Sequence, residues 1–167
     1  MSDVSDQNGA ANPEPQGQPS FGVVAQYVKD LSFENPDAPN SLRVRDKPPA
    51  INITINVHVN PMGATDYEVE LKLEADARED GGRTMFGVEL VYAGIFRIAN
   101  VPREQVQPLL MVECPRLLFP FARRIVAEMT RDGGFPPLMV DPVDFAALYR
   151  QRLAQAQAAQ QAPAQPS

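Results

Sequence analysis

The chain of 167 residues has no tryptophan, one histidine (His58) and one cysteine (Cys114). A lone cysteine excludes an internal disulfide and fits a reducing compartment. A zinc site takes three or four imidazole or soft ligands, and one histidine with one cysteine does not supply them, so no metal is expected. Cys114 lies between Glu113 and Pro115 at a helix junction, where a small apolar thiol is a packing residue. No apolar run approaches the ~20 residues of a membrane helix. The N-terminus lacks the basic start and apolar stretch of a secretory signal. A cytoplasmic protein without direct membrane insertion is expected. Gly81-Gly82 is not followed by the Lys-Ser/Thr of a phosphate loop, so no nucleotide site and no cofactor are expected. Positive charge is also short, with 15 Lys+Arg against 21 Asp+Glu and a net charge of -6. That balance argues against nucleic acid and leaves room for a basic protein partner.

Residues 1–20 hold Ser, Asp, Gln, Gly, Asn and Pro with one large apolar residue after the initiating methionine, Val4. Such a segment buries too little surface to offset its ordering entropy and is expected to be a disordered tail. The Ala/Gln/Pro stretch 157–167 is expected to be a second tail, leaving a folded domain over 21–156.

The first half of that domain alternates with period two, the signature of strands. Phe21, Val23, Ala25 and Tyr27 share one parity, which Leu31 and Phe33 continue. A turn-rich stretch around Asn35–Asn40 and a loop to Pro48-Pro49 precede Ile51, Ile53, Ile55, Val57 and Val59. Tyr67, Val69, Leu71, Leu73 and Ala75 make a third strand, and Phe86, Val88, Leu90 and Tyr92 a fourth. The fourth becomes apolar on both faces near Ile95 and Phe96. Consecutive strands with turn-rich links predict an antiparallel meander.

After Pro102 the period becomes helical. A short helix over 103–113 is expected to be interrupted by Pro108 and stopped near Pro115. A longer one carries Leu118, Ala122, Ile125 and Met129 on one face and ends at Gly133-Gly134. A third is expected to start at Asp141-Pro142 and to present Phe145, Leu148, Tyr149 and Leu153. Strands first and helices after indicate an α+β fold, a four-stranded antiparallel sheet with helices packed on one face.

Two features carry functional information. The polar parity of the third strand reads Asp66, Glu68, Glu70, Lys72, Glu74, Asp76, five acids to one base. Asp30, Glu34 and Glu89 lie on polar parities too, so the solvent face of the sheet is expected to be acidic. Solubility and the docking of a basic partner are the two readings of such a face. A hydrolase pair is disfavoured, because exposed carboxylates lack the burial that raises a general acid's pKa. The second feature is the surplus of large apolar groups in Leu117–Phe121 and Phe135–Met139. At helical spacing Phe119 and Phe121 cannot both face one core.

Five segments resemble, in order, the SecB family of bacterial export chaperones. They are Lys29–Pro36, Tyr92–Phe96, Cys114–Arg123, Gly134–Leu138 and Pro142–Tyr149. The resemblance implies the sheet-and-helix fold above, assembled as a homotetramer, a dimer of dimers with acidic faces outward. It implies an ATP-independent holdase, not an enzyme, that keeps preproteins unfolded and delivers them to SecA, the translocation motor. The matching SecA-docking acids are Asp30, Glu34 and Glu89. The matching client-groove positions are Leu42 and Val44 on the loop and Phe119 and Phe121 on the second helix. The chain departs from the family where a loop tryptophan is common near Asp46-Lys47, and at Gly87, where a leucine is usual. A SecB-like chaperone guarding an antitoxin is the alternative within the family. A small hot-dog-like thioesterase is the alternative outside it, and would require a buried carboxylate beside a ligand tunnel.

Overall fold

The computed structural model of the chain describes residues 17–163. Residues 1–16 and 164–167 lie outside that range, and with them most of the expected N-terminal tail and the end of the C-terminal one. Four strands form one antiparallel sheet: β1 (Ser20–Glu34), β2 (Ala50–Pro61), β3 (Asp66–Arg78) and β4 (Thr84–Ala99). Their order is β1-β4-β3-β2. The meander therefore holds only from β2 to β4, and β1 pairs with β4 rather than β2. Strand β4 thus lies inside the sheet between β1 and β3, and most of its side chains are buried. The connection Asn35–Pro49 crosses the end of the sheet to deliver β2 to the far edge.

The turn between β3 and β4 needs glycine, because Gly81 and Gly82 adopt φ of 98° and 86°. Glu79 closes it, donating its backbone N–H to Arg83 at 3.1 Å and accepting from Gly82 at 2.9 Å.

Strand β1 does not keep one parity. Its register against β4 shifts between Val23 and Ala25 and again between Val28 and Asp30. Each bulge inserts one residue and reverses which side chains face which way. Phe21, Val23, Val28, Leu31 and Phe33 thus lie opposite Ile98, Phe96, Tyr92, Leu90 and Val88 on the helix side. Ala25 and Tyr27 turn to the other face, against the expectation from simple alternation.

The helical layer begins with α1 (Arg103–Pro108), a π-helical turn (Leu109–Glu113) and α2 (Cys114–Asp132). Neither Pro108 nor Pro115 breaks this rod: Pro108, Leu109, Glu113 and Cys114 all keep helical φ and ψ. A wide π turn gives the Pro115 ring room where a regular turn would crowd the preceding carbonyls. The last helix, α3 (Phe145–Gln161), starts later than Asp141-Pro142 suggested. Its N-cap is Asp144, whose carboxylate accepts from the Ala147 N–H at 3.0 Å. It also runs past Ala156 to Gln161, since alanine and glutamine are good helix formers.

The core lies between this layer and one sheet face. Val69, Leu71, Leu73, Val88, Leu90 and Phe96 of the sheet meet Leu118, Ala122, Val126 and Phe145 of α2 and α3. Each such valine, leucine or phenylalanine side chain contributes about 1.5–3 kcal/mol by leaving water. Gly94 lets α2 approach, because a Cβ there would stand 3.0 Å from Leu118. Thr130, fully buried in α2, donates its hydroxyl to backbone carbonyls one turn earlier. The same oxygen accepts from the Leu138 N–H at 2.9 Å, tying the returning chain to the helix. No helix among the described residues is long and apolar enough to cross a membrane.

Candidate functional site

The two faces of the sheet differ in chemistry. On the helix side, Phe119 and Phe121 separate as helical spacing requires. Phe119 is buried, edge-on to Phe145 with ring centroids 6.0 Å apart. Phe121 is 43% exposed and stacks on Tyr92 with centroids 6.0 Å apart. Of the pair, Phe121 is the one that keeps exposed surface, and Phe119 forms part of the core beneath.

Leu42 and Val44 belong to the Asn35–Pro49 connection. Val44 is wholly exposed and Leu42 half-exposed. Leu42 is seated against the C-terminal end of α2, where Gly134 turns with φ of 91° and a Cβ would lie 2.7 Å from the Leu42 methyl. A Cβ on Gly133 would run into the Phe33 ring. Phe121 and Leu42 therefore stand toward opposite ends of α2, with about 18 Å of helical rise between Phe121 and Gly133. The helix side of β1 joins them. Tyr92 under Phe121 pairs with Val28, Leu31 follows, and Phe33 reaches Gly133. Val28 and Leu31 are exposed and Phe33 is half-buried. The result is an apolar trough between α2 and the edge strand. Its length matches about five residues of extended chain at ~3.4 Å each. A second exposed apolar pair, Ile51 and Ile53, lies at the opposite edge beyond Val44.

The other face carries the acids, and it is less uniformly negative than the sequence implied. Asp66 accepts a bidentate pair from Arg97 at 2.8 and 2.9 Å, which holds its carboxyl below the usual range. Lys29, projecting from the second β1 bulge, reaches across β4 to Glu68 and Glu70 on β3. Tyr27, brought to this face by the first bulge, donates its hydroxyl to Glu68. Asn60 donates to the same carboxylate at 2.9 Å. With these donors Glu68 is held down to about 2, chiefly by Tyr27 and then by Lys29. Burial and the Glu68 carboxylate push Tyr27 up to about 12. Glu74 and Asp76 pair with Lys72 and Arg78.

Asp30, Glu34 and Glu89 form no ion pair among the described residues. They cluster at one end of the face: Ser32 lies opposite Glu89, Glu34 opposite Gly87, and Asp30 opposite Val91. With no side chain at Gly87, nothing comes within 4 Å of where a Cβ would be. An open depression of about 270 Å³ forms there between Glu34, Glu74, Asp76 and Glu89. Sequence parity located these three acids. It missed Tyr27 and Lys29 because alternation gives no sign of a bulge.

Neither lone residue builds a catalytic site. Cys114 is fully buried, and burial pushes its thiol up to about 12, so the nucleophilic thiolate is suppressed. His58 lies on β2 opposite Glu70, far from α2. No group of three His, Cys, Asp or Glu residues among those described is arranged to hold a metal.

Comparison with known proteins fits this geometry. The family model described as "Preprotein translocase subunit SecB" matches residues 14–156. The chain is 58% identical over 157 residues to "Protein-export protein SecB" of Bradyrhizobium sp. (strain BTAi1), covering 94% of this chain and 96% of that protein. It is 56% identical over 152 residues to the protein of the same name from Sinorhizobium medicae, covering 91% and 88%. Among solved structures, a SecB-like chaperone of Mycobacterium tuberculosis in complex with an antitoxin peptide shares the fold. Its TM-score is 0.60 at 12% identity, covering 74% of this chain and 90% of that one. The chain belongs to the SecB family and is a chaperone of protein export.

Proposed function

We propose that the protein holds unfolded preproteins in the trough between α2 and β1 and hands them to SecA across its acidic face. It does so in the cytoplasm, by binding and without catalysis. The observation that carries this reading is the set of exposed apolar side chains along α2, the helix side of β1 and the connection, namely Phe121, Val28, Leu31 and Leu42. Exposed apolar surface of this extent on a folded chain marks an interaction site. An extended groove with few polar groups suits an unfolded chain, which gains many weak contacts with little sequence readout.

The outer edge of β1 supports assembly as a homotetramer, a dimer of dimers. This fifteen-residue strand carries exposed Phe21, Val23, Val24 and Val28 and, among the described residues, has no partner on one side. A long apolar edge of this kind is a template for pairing with another chain. Asp30, Glu34 and Glu89 would meet a basic surface of SecA, since their charges are not already spent on neighbours.

The test is suppression of aggregation of a chemically unfolded, S-alkylated protein. Leu42→Ser with Phe121→Ser should weaken it several-fold, while the native mass stays near four times 18.3 kDa. Unaltered suppression would overturn the trough, and a monomer at micromolar concentration would overturn the assembly.

A further inference from the structure

We propose that Glu79 is a positioning residue for the client trough, fastening the β1–β2 connection so that Leu42 and Val44 stand where a client meets them. The proposal rests on the trough reading above. The two halves of the connection are held differently. In its first half, Ser41 is buried and donates its hydroxyl to Asn35 at 2.5 Å, and Asn35 donates to the Gly133 carbonyl at 3.4 Å. Its backbone hydrogen bonds stay within Asn35–Arg43. From Arg43 to Ala50 no side chain is buried. Apolar packing therefore does not hold that second half.

Charge does. Arg45, in the middle of the second half, pairs with Glu79. The same carboxylate meets Arg83 at 2.6 Å, and Arg83 reaches back to Asp37 in the first half at 3.3 Å. Glu79 is thus the node of a four-residue chain that closes both halves of the connection onto the β3–β4 turn. Its own position is fixed by the hairpin hydrogen bonds to Gly82 and Arg83. Arg45 and Glu79 side chains are only 24% and 19% exposed, so water screens them less than an ordinary surface pair. The neighbouring Lys47–Asp80 pair is 81% and 86% exposed and contributes little. Without the Glu79 charge, Arg45 and Arg83 would face each other as like charges, and the second half would lift away.

Trypsin reads this directly, because it cuts after Arg43 and Arg45 while Lys47 is shielded by Pro48. In the full-length protein, Glu79→Gln should speed cleavage at those bonds roughly fivefold, the factor that about 1 kcal/mol of ion-pair coupling represents. Glu79→Asp should restore part of the protection, and high salt should mimic Glu79→Gln in the wild-type protein. Dissociation of a fluorescent S-alkylated unfolded protein should accelerate in step. Arg45→Gln alone should likewise speed cleavage after Arg43, the site that variant retains. Unchanged cleavage in Glu79→Gln would overturn the latch. Faster cleavage with wild-type client dissociation, in a protein where Leu42→Ser still weakens binding, would show that Glu79 positions nothing a client uses. If Leu42→Ser binds as wild type, the trough reading fails first, and that outcome is separately visible.

Discussion

Phe119 and Phe121 sit two positions apart in one helix and have opposite environments. Phe119 fills the core against Phe145, whereas Phe121 covers Tyr92 and keeps much of its ring in water. Phe119→Ala should therefore cost about 3–5 kcal/mol of stability, the range for emptying a buried aromatic site. Phe121→Ala should cost under about 1 kcal/mol, as a surface change does. Chemical denaturation of both variants checks this, and equal losses would mean that Phe121 is core as well. The same separation explains why Phe121, rather than the pair, belongs in the client-binding experiment. Helical spacing showed that the two rings must part, but not which one turned inward. That depended on where Phe145 arrives, some twenty-five residues later in the chain and from another helix.

At the scale of elements, β1 is the informative case. Two bulges let one strand serve both faces, sending Tyr27 and Lys29 to the acidic side and Val28 and Leu31 to the trough. The network they build on β3 has a pH signature. The folded chain holds Glu68 down to about 2, against 4.5 for a free glutamate. A depressed carboxyl stabilises fully above its unfolded pKa and loses that contribution as pH falls through its folded one. Stability from Glu68 should thus be complete above about pH 4.5 and be lost as pH falls toward 2. Glu68→Gln should flatten the decline of the melting temperature across that window. An unchanged slope would show that Tyr27 and Lys29 do not couple β1 to β3 through this carboxylate.

At the scale of the molecule, the proposed client and SecA surfaces lie on opposite faces of the sheet. Replacing Asp30 and Glu89 with Lys should leave the core, the tetramer and client binding nearly unchanged, because these side chains sit away from the helix layer. Affinity for SecA should fall at least tenfold at low salt, and less at high salt, where the Debye length shortens to about 3 Å near 1 M. Isothermal titration at two salt concentrations measures it. Equal affinity of variant and wild type, or a parallel loss of client binding, would reduce the acidic patch to a solubility device.

Much of this protein is determined locally and so can be read from the chain alone. Period-two alternation set the strands β2 and β3 and the face each side chain takes, since a strand half in water must alternate. The same rule located the unpaired acids Asp30, Glu34 and Glu89, and the family motifs supplied the chaperone assignment. Nonlocal events decided the rest. Pairing of β1 with β4 joins residues more than fifty positions apart, which no local pattern announces. The bulges that brought Lys29 and Tyr27 to Glu68 leave no local pattern, because each inserts one residue whose cost is repaid across the sheet. Passage of the helix through Pro108 and Pro115 depended on a π turn packed on the sheet. The latch from Arg45 to Glu79 joins residues that only the closed sheet makes neighbours. Periodicity reports the environment of each residue averaged over its own element, whereas a contact between elements exists only once the whole chain has packed.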